Sequence, residues 1–276
     1  MKLKGLIAIA LLFAAGTVFS QNQKFLFYEE NTGVAEIYNI AADGGLGGKV
    51  KDTNGWRNTW TDIEYYKAGG KHMLLFYEGS TGYAAMYEVA NDGGIGNKVN
   101  ETNGWRKTWT DIEYYRAGGK DMMLFYEGST GYAEMYTIAA NGGLGTKVKD
   151  TNGWRNTWTD IEYYRAGGKD MMLFYEKSNG YAAMYELAAD GGLGSKVKET
   201  SGWLKTWTDI EYYQAGGKDM LLFYIGSGTF SAKRQEGDSA GYAAMYEVAA
   251  DGGLGKKVKE TSGWRKSWLD IESLIH

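Results

Sequence analysis

The sequence predicts an all-β fold, a five-bladed β-propeller, on three observations. A unit of about 49 residues recurs five times along the 276-residue chain. Glycines cut each unit into four short runs rich in aromatic and β-branched residues, and no run within a unit is long enough to favour helix. The ten tryptophans fall in five pairs, Trp56/Trp60, Trp105/Trp109, Trp154/Trp158, Trp203/Trp207 and Trp264/Trp268, whose first members are 49, 49, 49 and 61 residues apart. Four antiparallel strands repeated at this period match a propeller blade. The units are 25–73, 74–122, 123–171, 172–220 and 221–276, and the longer last interval holds an insertion at about 225–240. Units two and three agree at 38 of 49 positions. A stacked solenoid is the competing architecture, but neither end unit has the polar face of a cap.

Unit two shows the reasoning for each strand. Leu74–Glu78 is an apolar run that stops at Gly79-Ser80-Thr81-Gly82. Such runs suit a blade's interior, where both faces of a strand are covered; they recur as Phe25–Tyr28, Met123–Tyr126, Met172–Tyr175 and Leu221–Tyr224. Tyr83–Ala90 alternates and ends at the glycine-rich Asn91–Gly96. Asn97–Thr102 is more polar and is closed by Asn103-Gly104, a strong hairpin signal. Thr108–Tyr115 is the fourth strand, and Ala117-Gly118-Gly119-Lys120 leads to the next unit. On this reading the fourth strand is outermost and its Asp111 and Glu113 are solvated. Alternation places Trp109, Asp111 and Glu113 on one face. The ring closes by packing unit one against unit five, with no strand left to complete a shared blade.

Composition removes several functions. There is no Cys, and His72 and His276 are the only histidines, so thiol chemistry, a Ser-His-Asp triad and a multi-histidine metal site are excluded. The Asp43-Gly44-Gly45 turns lack the alternating acidic ligands of a calcium loop. No cofactor or metal is expected. A net charge of −4 without basic runs argues against nucleic acid. Near-identical units cannot easily supply the distinct acid and nucleophile of a glycosidase, so the protein reads as a non-enzyme. Lys2 and Lys4 before the apolar Leu6–Ala15 run and the small residues to Ser20 read as a signal peptide, residues 1–20, cleaved near Ser20/Gln21. That leaves 21–276 as the propeller, secreted or periplasmic, with no later membrane span.

Strand parity puts Gly79–Gly82, with its flanking Glu78 and Tyr83, on the same rim as Asn103–Trp109. The rim therefore repeats a turn Trp, an Arg, hydroxyl residues, a Tyr and a carboxylate. An indole takes the C–H face of a sugar ring, while guanidinium and carboxylate groups bind its hydroxyls. The candidate sugar-binding residues are Trp56, Arg57, Trp105, Arg106, Trp154, Arg155, Trp203, Trp264, Arg265, Glu78, Tyr83, Glu127, Tyr132, Glu176 and Tyr181. The second Trp of each pair is expected to pack between blades. Unit four carries Leu204 where the others have Arg, and unit five carries Leu269 for Thr and Ser273 for Tyr.

With its Leu-Phe-Tyr strand, Tyr-Gly-type turns and Gly-Trp-Arg-Lys-Thr-Trp-Thr segment, the repeat resembles bacterial tandem-repeat propeller lectins of the Photorhabdus type. It is more distantly similar to the tachylectins. The resemblance covers residues 24–276 and implies repeated sugar sites at or between blades, with glycans on cell surfaces or glycoproteins as partners. The alternative from the residues alone is a protein-binding or structural propeller of the cell envelope.

Overall fold

The computed structural model describes residues 23–226 and 241–274; the expected signal segment and most of the 225–240 insertion lie outside them. Among the described residues all the regular structure is β: twenty strands in five four-stranded antiparallel sheets, arranged as a five-bladed propeller. Blade 1 begins with β1 (Lys24–Glu29), β2 (Val34–Ile40) and β3 (Leu46–Thr53). Blade 2 is β4 (Asp62–Ala68), β5 (Lys71–Glu78), β6 (Tyr83–Val89) and β7 (Ile95–Thr102). Blade 3 is β8 (Asp111–Ala117), β9 (Lys120–Glu127), β10 (Tyr132–Ile138) and β11 (Leu144–Thr151). Blade 4 is β12 (Asp160–Ala166), β13 (Lys169–Glu176), β14 (Tyr181–Leu187) and β15 (Leu193–Thr200). Blade 5 is β16 (Asp209–Ala215), β17 (Lys218–Ile225), β18 (Gly241–Val248) and β19 (Leu254–Trp264). The last strand, β20 (Asp270–Leu274), returns to blade 1 and pairs with β1, Lys24 opposite Leu274 and Tyr28 opposite Asp270.

Blades and sequence units are therefore out of step by one strand, which corrects three expectations. The strand read as outermost is the innermost of the following blade. The ring closes by backbone pairing in a shared blade, not by side-chain packing alone. The segment read as a hairpin, Asn103-Gly104, starts the link between blades, and the segment read as the link, Gly118-Gly119, is the hairpin. Glycine geometry explains the exchange. Gly118 and Gly119 sit at φ 57° and 76°, the two left-handed residues of a type I′ turn, and Ala117 faces Lys120 across it. An Asn-Gly pair can make that turn but is not obliged to.

Packing follows from this order. Met73–Tyr77 is almost wholly buried because β5 lies second in its blade with a neighbouring blade on either side. The core is five clusters, each shared by adjacent blades; one joins Leu26, Tyr28 and Ile37 of blade 1 to Trp60, Ile63 and Phe76 of blade 2. The outer strands, such as β7, bury no residue fully and mix exposed with half-buried positions.

The inner strands converge on the axis, where an edge strand has unpaired N–H groups. The Asp-Ile-Glu stretch supplies acceptors for them, so these carboxylates face the channel and are not solvated on the outside. Asp62 accepts from the Ile112 N–H at 3.0 Å and Glu64 from the Tyr114 N–H at 2.8 Å, each in the next blade. Across the seam Asp270 and Glu272 accept from Ile63 and Tyr65. The second tryptophans point away from this face, packed with Ile63 and Tyr65 or their equivalents.

One glycine positions the rim that carries the candidate residues. Gly82 has φ 73°, and its carbonyl accepts from the Trp105 N–H at 3.2 Å. A Cβ there would sit 2.2 Å from the Trp105 carbonyl oxygen. Gly82→Ala is expected to lower stability by about 2 kcal/mol or more, from left-handed strain plus the clash. Urea unfolding measures this, and an unchanged midpoint would contradict the close approach.

Candidate functional site

Each station on the rim is assembled from two successive units, because the link that opens a blade comes from the unit before. At blade 2 the link contributes Trp56, Arg57 and Trp60, β5 contributes Phe76 and Glu78, and β6 contributes Tyr83 and Tyr87. The sequence places Glu78 and Tyr83 on this rim, but their partner is Arg57 of the preceding unit and not Arg106 of their own. The Arg57 guanidinium stands 4.8 Å from the Tyr83 ring and 5.3 Å from that of Trp60, and its Nη1 is 3.8 Å from Glu78. Tyr83 stacks on Trp60 with ring centres 5.8 Å apart.

Blades 3 and 4 repeat the arrangement. Arg106 lies 4.6 Å from Tyr132 and pairs with Glu127 at 3.9 Å. Arg155 lies 4.6 Å from Tyr181 and pairs with Glu176 at 3.0 Å. At blade 5, Trp203 and the exposed Leu204 replace the Trp-Arg pair, yet Tyr242 still stacks on Trp207 at 6.0 Å. The Tyr-Trp stack therefore does not depend on the guanidinium.

The first tryptophans (Trp56, Trp105, Trp154, Trp203 and Trp264) are half-buried walls. Trp56 meets Phe76 edge-on at 5.1 Å and lies against Tyr28. The second tryptophans are buried, as expected; Trp60 is 4% exposed. The link is pinned from behind: the Tyr28 hydroxyl donates to the Arg57 carbonyl and the Tyr126 hydroxyl to that of Arg155, both at 2.6 Å. Hydrogen bonds from Thr59 and Thr81, with Arg57 beside it, hold Glu78 below the usual carboxylate range. Thr108, Thr130 and Arg106 do the same for Glu127. These carboxylates are ionised acceptors at neutral pH.

Sequence reasoning missed the outer half of the station. In blade 2, Tyr83 and Lys98 both donate to Glu101, each at 2.7 Å. Glu101 lies opposite Ala85, and blades 4 and 5 repeat this pair as Ala183–Glu199 and Ala244–Glu260. Blades 1 and 3 carry Glu36–Asp52 and Glu134–Asp150 instead. At blade 3 Glu134 thus reaches the equivalent tyrosine and lysine, Tyr132 and Lys147, from the other strand. The paired exchange is visible in the sequence, but only the cross-strand register gives it meaning.

The seam station at blade 1 differs. Val34 stands where the other blades carry tyrosine, and Arg265 donates to Glu36 at 2.8 Å. Beside it lies a cavity of about 330 Å3, lined by Phe27, Glu36, Tyr38, Lys49, Trp264, Arg265 and Trp268 among others. Another hollow on the rim, of about 320 Å3, presents Thr110, Ser129, Asn156, Thr157 and Trp158. At the axis, the threonines and the Asp-Ile-Glu segments enclose a channel cavity of about 140 Å3.

No protein-family model matches the chain, and none of the curated proteins matches it. Solved structures resemble it distantly. A chain from the nidogen/laminin complex is 9% identical, covering 91% of this chain and 98% of that one, with a TM-score of 0.49. An α-L-arabinofuranosidase from Lactobacillus brevis is 13% identical, covering 74% and 72%, with a TM-score of 0.46. A protein from Lactobacillus plantarum is also 13% identical, covering 91% and 71%, with a TM-score of 0.44. At these values the likeness assigns neither an activity nor a partner. No helix among the described residues is long and apolar enough to cross a membrane.

Proposed function

We propose that this protein is a non-enzymatic carbohydrate-binding propeller, exported from the cell, whose sugar sites are the tryptophan–arginine stations of one rim. The observation that carries the reading is the convergence, at successive stations, of an indole wall, a guanidinium and an ionised carboxylate on a hydroxyl-bearing edge. That set matches a pyranose, which has an apolar face and a polar circumference. The guanidinium in it is not needed to pack the blades, since blade 5 packs its tyrosine on tryptophan with Leu204 in place of arginine. Several weak sites on one rigid disc raise apparent affinity for a multivalent glycan surface by roughly 10²–10⁴.

The rim residues of blade 5 supply a fold-neutral test. A variant with Arg57, Arg106, Arg155 and Arg265 all changed to Leu copies a side chain that this scaffold already carries. On a glycan array it is expected to bind at least about tenfold more weakly than wild type, from the loss of charge-assisted hydrogen bonds. Equal binding by the two proteins would place the sugar elsewhere. Capture of a protein that survives excess free sugar would favour the protein-binding alternative.

A further inference from the structure

We infer that the seam station is the primary sugar site, open as folded to one neutral hexopyranose ring, and that a tyrosine of the chain itself occupies the same place in the other four stations. The carbohydrate-binding reading above is the premise for the choice of occupant.

The comparison is between equivalent positions. At blade 3 the Tyr132 ring stacks on Trp109 with centres 6.1 Å apart and lies under Arg106, and its hydroxyl donates to Glu134 at 2.6 Å. At blades 2, 4 and 5, Tyr83, Tyr181 and Tyr242 stack in the same way on Trp60, Trp158 and Trp207. Their hydroxyls reach Glu101, Glu199 and Glu260 at 2.6–2.8 Å. A six-membered ring with a hydroxyl at its far end thus bridges the indole and the outer carboxylate in four blades.

At the seam that bridging ring is absent, because Val34 is too short to span the distance. The walls are nonetheless those of blade 3: Trp268 for Trp109, Arg265 for Arg106, Glu36 for Glu134, Lys49 for Lys147 and Asp52 for Asp150. The cavity of about 330 Å3 opens onto the groups such a ring would touch, Trp268, Arg265, Glu36 and Lys49 among its lining residues. Its volume is at the lower end of small-ligand sites and suits one monosaccharide ring.

The polar groups select the ligand. Glu36 is buried and receives Arg265 at 2.8 Å, the Tyr38 hydroxyl at 2.6 Å and Lys49 at 3.1 Å. Asp52 lies 3.5 Å from Lys49, and Glu29 lies 3.9 Å from Arg265. Two cations face three carboxylates, so the site has no surplus positive charge to attract an acidic sugar, which favours a neutral ligand. A phenol would bring one hydroxyl to this set of donors and acceptors, whereas a hexopyranose brings several while still covering the indole. The occupant is therefore a neutral sugar and not a partner's tyrosine. The other stations bind more weakly, because their tyrosine must first leave its tryptophan.

Isothermal titration with the methyl glycosides of glucose, galactose, mannose and N-acetylglucosamine tests this on wild type, Val34→Tyr and Tyr181→Val. Wild type is expected to titrate with one site per chain for at least one of them. Val34→Tyr should bind that sugar at least tenfold more weakly while melting like wild type, since blade 3 already places Tyr132 beside Glu134. Tyr181→Val should add a second site. Four or five equal sites in wild type, or unchanged binding by Val34→Tyr, would overturn the seam assignment and leave carbohydrate binding standing. Heat from p-cresol, lost in Val34→Tyr, with none from any sugar, would overturn the choice of occupant. Silence from every sugar with wild type and Tyr181→Val, on a glycan array as well, would overturn the carbohydrate reading itself.

Discussion

Stability is expected to fall as the pH rises from 5 to 8, by roughly 10 °C in melting temperature. The cause is the axial channel, where Asp62, Glu64 and their equivalents in the other blades line one narrow passage. Enclosure pushes all of them upward, reinforced in all but Asp270 by neighbouring carboxylates, with Asp111 and Asp270 at about 7. A carboxyl whose folded value lies above its unfolded value of about 4 binds more protons when folded. Its contribution is complete below about pH 4 and is lost as the pH climbs toward the folded value. One independent carboxyl at 7 accounts for about 4 kcal/mol, and each kcal/mol is worth roughly 2–4 °C in a chain of this size.

The rim carboxylates and the lysine-paired Asp43 and Asp92 work in the opposite sense. Glu78, Glu127, Asp43 and Asp92 are held below their ordinary values by hydrogen bonds and lysine or arginine partners. Their contribution is present at neutral pH and is lost as the pH drops through 4. The two effects together put the optimum near pH 5. Asp111→Asn keeps an acceptor for the Ile161 N–H and removes one channel charge, so it should flatten the decline and raise the melting temperature at pH 8. A wild-type melting temperature that is level or rising between pH 5 and 8 rules out the channel as the titrating element.

Removing the last strand should be the most damaging single change. Truncation after Leu269 deletes β20, which pairs with β1 from Lys24–Leu274 to Tyr28–Asp270 and buries Ile271 and Leu274. It also takes away Asp270 and Glu272, the acceptors for Ile63 and Tyr65 across the seam. Lost burial and pairing together come to roughly 5–10 kcal/mol, comparable with the whole stability of an ordinary domain. The truncated chain is expected to lose its cooperative melt. A circular permutant that starts at Leu269 and joins Leu274 to Lys24 through a two-glycine turn should melt like wild type, because it gives blade 1 the hairpin that the other blades have. A truncated protein with an undiminished melt would mean that the seam contributes little.

Much of this architecture was legible in the linear chain. The 49-residue period, the paired tryptophans and the glycine punctuation identify five four-stranded blades, since each rests on a local rule of turn or strand chemistry. Parity along a meander was enough to bring Trp, Arg, Glu and Tyr to one rim. The order of strands within a blade was not legible. Asn103-Gly104 and Gly118-Gly119 both satisfy the sequence rule for a tight turn, and choosing the wrong one shifts every blade boundary by one strand. That shift reversed the reading of Asp62 and Glu64, whose alternation suits a solvated face and a channel wall equally well.

What the sequence by itself determined is the repeat, its β character and the cast of rim residues, because periodicity and turn preference act over a few positions. Which unit supplies each arginine's partner, which carboxylates enter the channel and which station is left open were decided only by the closed ring. Those depend on distances between strands far apart in the chain, and the missing ring at Val34 acquires meaning only beside the tyrosines that stack on tryptophan in the other blades.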